Sequence, residues 1–370
     1  MQIEVLRMPE SFDINSSSGN YRITIGENAL QNLKERYKDV FYIIDARLAP
    51  TLDIDRNDVL AIDATEENKS LEVFANYVIA LREKKVHRKT HLIVIGGGVI
   101  QDIATFLASI YMRGLKWTYL PTTLLGMVDS CIGGKSSINV TGYKNLVGNF
   151  YPPHEIAIDL TFLNTLSVEA IIAGLCETAK ICYAYSDSTF EAYLSDMANT
   201  TRLNTKVAES IVSRSLKSKK WFIEIDEFDQ KERLLLNFGH TFGHALESAS
   251  NFRISHGIGV GVGMIVAIKY AENHQLLNSN GVITIERFNY HIQKLLREIH
   301  GLQEILNDLD LLDVMGKFES DKKHQAEYYR VVVPANAGRL ELLSIEKSNR
   351  SREDIIQAFD QAFNCITTNN

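Results

Sequence analysis

Over the first 166 residues apolar positions gather in short blocks separated by helical periods, a pattern that predicts β-strands joined through helices. Tyr21–Ile25 (YRITI) alternates like a half-buried strand, and the charged amphipathic segment ALQNLKERY follows it. Val40–Ile44 (VFYII), the VLAI run that starts at Val59 and Leu92–Ile95 (LIVI) are apolar throughout, as expected of parallel strands covered on both faces. Helical periods occupy Leu71 to Lys85 and Val99 to Met112. WTYLPTTLL adds another strand, with Thr122 and Thr123 at its end.

From about Ser167 the strand patterns give way to long helical ones: VEAIIAGLCETAKICYAY, FEAYLSDMA, VAESIVSRSLKSKKWFIEI, RLLLNFGHTFGHALESA, VGVGMIVAIKYAENHQ and the Leu/Ile-rich stretch from Ile283 to Asp313. A boundary is therefore expected near 166, with an α/β domain over 1–166 and a mainly helical domain over 167–370. YYRVVVPANAGRLELLSI reads as a late strand hairpin and SREDIIQAFDQAF as a final helix.

Length and composition narrow the class. The 370 residues suffice for two cores, and 39 basic against 46 acidic residues give a net charge of -7, which argues against nucleic acid or an anionic membrane as the main partner. The cysteines, Cys131, Cys176, Cys182 and Cys365, form no CxxC pair, so a reducing, cytoplasmic setting fits best. No run approaches the ~18 uninterrupted apolar residues of a membrane span, and MQIEVLRMPESFDINSSSGNY has no apolar leader core. A soluble, unprocessed chain is expected.

Candidate chemistry sits at three places. Gly96, Gly97 and Gly98 lie between a strand and a helix, where backbone N–H groups and the helix N-terminus suit a diphosphate, although the spacing is not GxGxxG and a plain tight turn has the same pattern. Asp45 ends its strand where an open α/β sheet often holds a ribose; a solvated turn aspartate is the alternative. MVDSCIGGKSSINVTGYKNLVGNFYPP combines small residues with Asp129, Lys135, Lys144 and Asn145, which suits a phosphorylated or polyhydroxylated ligand as well as an ordinary solvated loop. Glu177 and Lys180, three apart on a helix, are candidates to point into a cleft. His240 and His244, four apart, share a helix face, and His256 lies twelve further on; with a carboxylate from elsewhere they suit a metal, and without one they are core or capping histidines.

GGGVIQDIATFLASIYMRG, PTTLLGMVDSCIGGKSSINV, YKNLVGNFY, GLCETAK, RLLLNFGHTFGHALES, SHGIGVGVGM and the late DKK resemble, in order and spacing, the dehydroquinate synthases and their sugar-phosphate cyclase relatives, from about residue 20 to about residue 360. The resemblance implies a Rossmann-like NAD domain followed by a helical metal and substrate domain. It implies that Glu177, His240 and His256 hold a zinc or cobalt ion. His244 then falls at a substrate-phosphate position. Asp45, Glu66, Lys69, Gly97, Gly98, Val99, Asp102, Thr122, Thr123 and Thr165 match NAD positions; Asp129, Lys135 and Lys144 match positions near cofactor and substrate. Asn145, Lys180, Lys219, Arg233, Asn237 and one or both of Lys322 and Lys323 match the substrate pocket. Arg113 matches an arginine lent to the neighbouring subunit, which implies a homodimer.

The activity implied is NAD- and metal-dependent cyclisation of 3-deoxy-D-arabino-heptulosonate 7-phosphate to 3-dehydroquinate with loss of phosphate, in the shikimate pathway. Gln101, Thr105, Ser136, Ser137 and Arg47 depart from the usual residues, which leaves a specialised cyclase of amino-dehydroquinate or valiolone type as the alternative. Lys219, Asn237 and His244, which such relatives generally alter, favour the carboxylate-bearing substrate. A polyol dehydrogenase of the same superfamily is a further alternative, with less use for so many phosphate-directed cations.

Overall fold

The computed structural model describes residues 10–141, 143–198 and 203–368; the first nine residues, part of the stretch read above as lacking a leader, lie outside the described residues. The chain divides into two units. The first runs to Leu166 and takes back the segment ending at Phe228; the second starts at Ser167 and resumes at Asp229.

The first unit is built on a seven-stranded sheet in the order β1-β2-β9-β6-β5-β3-β4. Its strands are β1 (Glu10–Ile14), β2 (Tyr21–Gly26), β3 (Val40–Asp45), β4 (Val59–Ile62), β5 (His91–Gly96), β6 (Trp117–Pro121) and β9 (Glu155–Asp159). Only β1 runs antiparallel to its neighbour. Every residue of β5 is buried, because this strand lies inside the sheet with side chains covered on both faces. Ala29 and Leu33 of α1 (Ala29–Arg36) pack with Ile44, Ile93, Ile95 and Leu120 in one core cluster. α2 (Phe74–Glu83) and α3 (Gly98–Ile110) complete the crossovers. Ile44 pairs with Ile95 and Gly96 with Pro121, so Asp45, which ends β3, and Gly97 and Thr122, which follow β5 and β6, all lie at the carboxyl ends of neighbouring parallel strands. Ligands of open α/β sheets bind at that edge.

The glycine-rich stretch read as a ligand pocket or a solvated loop contains a short hairpin, β7 (Ile138–Val140) with β8 (Tyr143–Val147). Neither β1 nor β9 is marked in the sequence. EIAID in β9 is five residues long, too short to establish a period, and its place between β2 and β6 comes from distant pairing.

The second unit begins with α4 (Val168–Tyr185), capped by the Ser167 hydroxyl accepting from the Ala170 N–H, and α5 (Asp187–Ala198). α6 (Thr205–Ile225) then corrects the expected division, since it belongs to the first unit. Its Ser213 donates to Glu10 at 2.8 Å and its Ser215 to the Val128 carbonyl at 2.8 Å. An amphipathic pattern identifies a helix but not the core it joins.

The other helices of the second unit are α7 (His240–Ala249), α8 (His256–Asn273), α9 (Ser279–Arg297), α10 (Leu302–Asp308), α11 (Leu311–Glu319) and α12 (Asn349–Thr367). β10 (Tyr328–Ala335) and β11 (Arg339–Glu346) form the expected late hairpin. α8 is buried continuously from Gly257 to Ile268 and packs against α4, α7, α9, α12 and β10, so it is the central helix of this unit. RLLLNFGHTFGHALESA, expected as one helix, is a 3-10 turn (Glu232–Asn237) and then α7. The chain breaks at Gly239, whose φ of 79° favours glycine.

Each unit contains a buried histidine that burial holds neutral: His91 in the first and His291 in the second, both lowered to about 4. His91 shares a hydrogen bond of 2.8 Å with Thr118, and His291 one of 2.8 Å with Tyr193. Because the folded pKa lies below the unfolded one, the stability each contributes is complete above about pH 6.5 and lost as pH falls through 4, roughly 3 kcal/mol per group at full effect. Melting temperature should therefore drop between pH 6.5 and 4, and less so in His291→Gln; a wild-type melting temperature constant across that window would contradict this.

Candidate active site

In the first unit, α3 begins at Gly97 with no side-chain cap and no acid in its first turn, so its leading N–H groups remain available to an anion. A Cβ on Gly97 would come within 2.9 Å of Thr123 Cγ2, which makes that glycine a packing requirement, whereas a Cβ on Gly98 would meet nothing within 4 Å. Open space above a helix N-terminus fits a dinucleotide diphosphate. Thr122 donates its N–H to the Gly96 carbonyl at 3.0 Å, and Val99 follows Gly98 in the first turn.

Beside this turn Lys69, 6% exposed, donates to Asp102 at 3.1 Å and to Asn145 at 3.0 Å, with Glu66 at 3.6 Å. Lys144 lies 3.8 Å from Glu66. Burial pulls the Lys69 pKa down, but Asp102 and Glu66 outweigh it and the net shift is upward, so the ammonium is held charged. Asn139, absent from the sequence expectations, donates to Glu66 at 2.9 Å and accepts from the Asn145 N–H at 2.9 Å, fixing Asn145 in its left-handed conformation. Lys219 donates to the Asp129 carbonyl at 2.6 Å and to its carboxylate at 2.7 Å. Lys135 extends over the Phe150 ring, and Thr165 donates to the Phe162 carbonyl at 2.7 Å. Arg113 is exposed on a turn where Met112, Arg113 and Gly114 all have positive φ.

The residues that depart from the usual pattern have local roles. Gln101 donates to the Ser130 carbonyl and accepts from the Ser130 hydroxyl, both at 2.6 Å, tying α3 to the Gly126–Ser130 segment. Ser136 donates to Asn149 at 2.8 Å. Arg47 forks onto Asp45, with contacts of 3.1 and 2.8 Å, so an acid expected to face a ribose already has both oxygens engaged.

In the second unit Glu177 of α4, His240 of α7 and His256 of α8 converge, with one donor atom from each lying within 4.8 Å of the others. Glu177 is fully buried and neither carboxylate oxygen accepts a hydrogen bond; the Lys180 ammonium lies against it as an ion pair. His240 Nε2 stands 3.6 Å and His256 Nε2 3.7 Å from Glu177 Oε1. Two ligand atoms on a tetrahedral zinc lie about 3.3 Å apart, so these separations suit one shared ion. Burial drives His240 well below its ordinary pKa, which keeps its ring neutral as a ligand must be. A buried carboxylate facing two imidazole nitrogens is a donor set that fits a divalent cation.

Glycines permit this convergence. A Cβ on Gly257 would come within 2.5 Å of the Ala173 carbonyl on α4, and one on Gly243 within 2.8 Å of the Gly259 backbone across the α7–α8 crossing. The three helices thus approach closely enough for their side chains to meet.

His244 faces the same group, its ring 5.7 Å from His240 and 5.8 Å from His256, but its Nδ1 is 3.2 Å from Asp321. Burial lowers the His244 pKa and Asp321 opposes that shift. Asp321 also accepts the Lys323 N–H at 2.8 Å. Of the two late lysines, Lys322 is exposed, while the Lys323 ammonium is buried and lowered by that burial against the pull of Asp321. Arg233 is 3% exposed, and Asn237 donates to the Leu234 carbonyl at 3.0 Å, both on the turn before α7. Sequence reasoning missed Glu247 and Asp321. Glu247 stands three residues after His244 and seven after His240, a helical spacing that marks the same face.

The family described as 3-dehydroquinate synthase N-terminal matches residues 59–173, and 3-dehydroquinate synthase C-terminal matches 174–324. A 3-dehydroquinate synthase of Dictyoglomus thermophilum is 31% identical over 361 residues, covering 94% of this chain and 97% of that protein. One from Saccharolobus solfataricus is 33% identical over 327 residues, covering 86% and 90%. Among solved structures, a 2-deoxy-scyllo-inosose synthase complexed with carbaglucose-6-phosphate, NAD+ and Co2+ superposes with a TM-score of 0.77 at 22% identity, covering 95% of this chain and 99% of its own. A 2-epi-5-epi-valiolone synthase of Streptomyces hygroscopicus with NAD+ and Zn2+ bound gives 0.77 at 23%, covering 94% and 98%. At these identities the two structures establish the fold.

Proposed function

The chain belongs to the 3-dehydroquinate synthase family, and we propose that it cyclises 3-deoxy-D-arabino-heptulosonate 7-phosphate to 3-dehydroquinate with loss of phosphate, using NAD and a divalent metal. The observation that carries the metal-dependent reading is the convergence of the buried Glu177 carboxylate, ion-paired with Lys180, on the Nε2 atoms of His240 and His256. A metal held by Glu177, His240 and His256 would supply Lewis-acid chemistry, and a dinucleotide held at the α3 N-terminus would supply reversible hydride chemistry.

The remaining roles fall to the chain's own side chains. Gly97, Gly98 and Val99 present the α3 N-terminus to the dinucleotide diphosphate, and Lys69 with Asp102, Glu66 and Asn145 shapes the neighbouring wall. Thr122, Thr123, Thr165 and Asp45 are the other cofactor positions; at Asp45 the ribose hydroxyls share the carboxylate with Arg47 or displace it. Lys180, Arg233, Asn237 and Lys323 set positive charge and amide donors against carboxylate and phosphate, so that one substrate conformer persists through several steps. Asp321 holds His244 through Nδ1 and leaves Nε2 for the phosphate. In the first unit Lys219 (held by Asp129), Lys135 and Lys144 supply further ammonium groups and Asn145 an amide. Arg113, on its strained and exposed turn, serves the phosphate site of a second copy in a homodimer.

Gln101 and Ser136 act on the packing of their own unit. A substrate panel tests the reading: protein supplied with NAD and zinc should turn over the heptulosonate phosphate and leave sedoheptulose 7-phosphate and an amino-sugar analogue at least about a hundredfold slower, a difference of roughly 2.7 kcal/mol in the barrier. Preference for either analogue would overturn the substrate assignment.

A further inference from the structure

We infer that Glu247 is a positioning residue for the metal site: it fixes the tautomer and ring orientation of His256 so that Nε2 is presented beside Glu177. This deepens the metal-dependent reading above and rests on it. His256 stands at the start of α8, where its Nδ1 lies 2.9 Å from Glu247 Oε1 and its Nε2 3.7 Å from Glu177 Oε1. A neutral imidazole carries one proton, and a carboxylate at Nδ1 holds it there, leaving the Nε2 lone pair for a cation.

His256 needs such an anchor more than the other two ligands. The Glu177 side chain is 0% exposed and that of His240 14%, so packing holds them, but the His256 side chain is 41% exposed. Among the described residues, the His240 Nδ1 has the Phe238 carbonyl alone, at 3.4 Å. Glu247 is itself held in place: it is 8% exposed, and a Cβ on Gly259 would press within 3.3 Å of its Cγ, so the bare backbone there leaves room for its stem.

A rival use of the same atoms is as ligands. His244, Glu247 and His256 also bring donor atoms within 4.8 Å of one another, a grouping that suits a second ion. The 2.9 Å between His256 and Glu247 favours the positioning role, since it is a hydrogen-bond length and shorter than the about 3.3 Å edge between two ligands of one zinc.

The test uses the full chain stripped of metal and titrated with Zn2+ against a competing chelator. Wild type should take up one equivalent, and Glu247→Leu should bind it roughly 10- to 100-fold more weakly. Glu247→Gln, whose amide oxygen still accepts the Nδ1 hydrogen bond, should recover most of the loss, and the metal-free melting temperature should stay at the wild-type value in both. Unchanged affinity in Glu247→Leu overturns the inference, as does a wild type that takes up two equivalents and loses one in this variant. Wild type that takes up no divalent ion overturns the metal-dependent reading as well. Should Glu247→Leu fail to fold, nitrogen NMR of histidine-labelled, metal-free wild type in alkaline buffer decides: an Nδ1–H tautomer at His256 supports the assignment and an Nε2–H tautomer sinks it.

Discussion

Replacing His256 by alanine should remove the bound metal and at least about a thousandfold of turnover together, roughly 4 kcal/mol of transition-state stabilisation. Three donor atoms define the site, and without His256 the ligand set falls to Glu177 and His240. His244→Ala should behave differently: metal stays stoichiometric, while turnover falls and the KM for the phosphate substrate rises. The basis for the contrast is geometric, since His240 and His256 address Glu177, and His244 Nδ1 addresses Asp321. Metal analysis of the two purified variants distinguishes the cases. Full zinc in His256→Ala, or zinc lost from His244→Ala, would show that the ligands are wrongly divided.

Gly263→Ala should be the most damaging small substitution in the second unit. In an open helix interior, alanine in place of glycine is worth about 1 kcal/mol of stability. At Gly263, however, the new methyl would sit 2.1 Å from the Gly239 carbonyl oxygen and 2.7 Å from the Gly243 nitrogen, all backbone atoms of the α7 segment with no rotamer to relieve the clash. Relief requires α7 to move off α8, which separates His240 from His256 and opens the core. A loss of roughly 3 kcal/mol is expected, at the upper end of overpacking effects, together with weaker metal binding. Gly316→Ala in α11 is the control: a Cβ there meets nothing within 4 Å, so the same exchange should be neutral or stabilising. Equal melting temperatures for the two variants would refute the close-packing account.

Where structure depends on local pattern, the sequence is informative. α4 spans the residues its apolar period marks, 168 to 185, and the LIVI run lies within β5 because a strand inside a parallel sheet is apolar on both faces. The four-residue spacing places His240 and His244 on one face of α7, and His256 opens the next helix. What is not legible depends on partners far away in the chain. α6 has an ordinary amphipathic period, and only its contacts with Glu10 and Val128 assign it to the first unit. β9 acquires its meaning from β2 and β6 on either side. The carboxylates beside the histidines differ in reach: Asp321 is 77 residues from His244, whereas Glu247 is near in the chain but meets His256 only where bare glycines let α7 and α8 close on each other. Spacing alone therefore suggests one metal site for the His240–His244 pair, whereas the three-dimensional arrangement sets His240 and His256 against Glu177 and pairs His244 with Asp321.

The most direct test of the account is the hydride balance during turnover of the heptulosonate phosphate with NAD far below the substrate concentration. Oxidation and re-reduction by one bound dinucleotide predict one inorganic phosphate released per ring formed, many turnovers per NAD, and no accumulation of NADH. NADH rising in step with substrate consumed, or reaction stopping after one equivalent of NAD, would contradict it and identify the chain as a dehydrogenase instead.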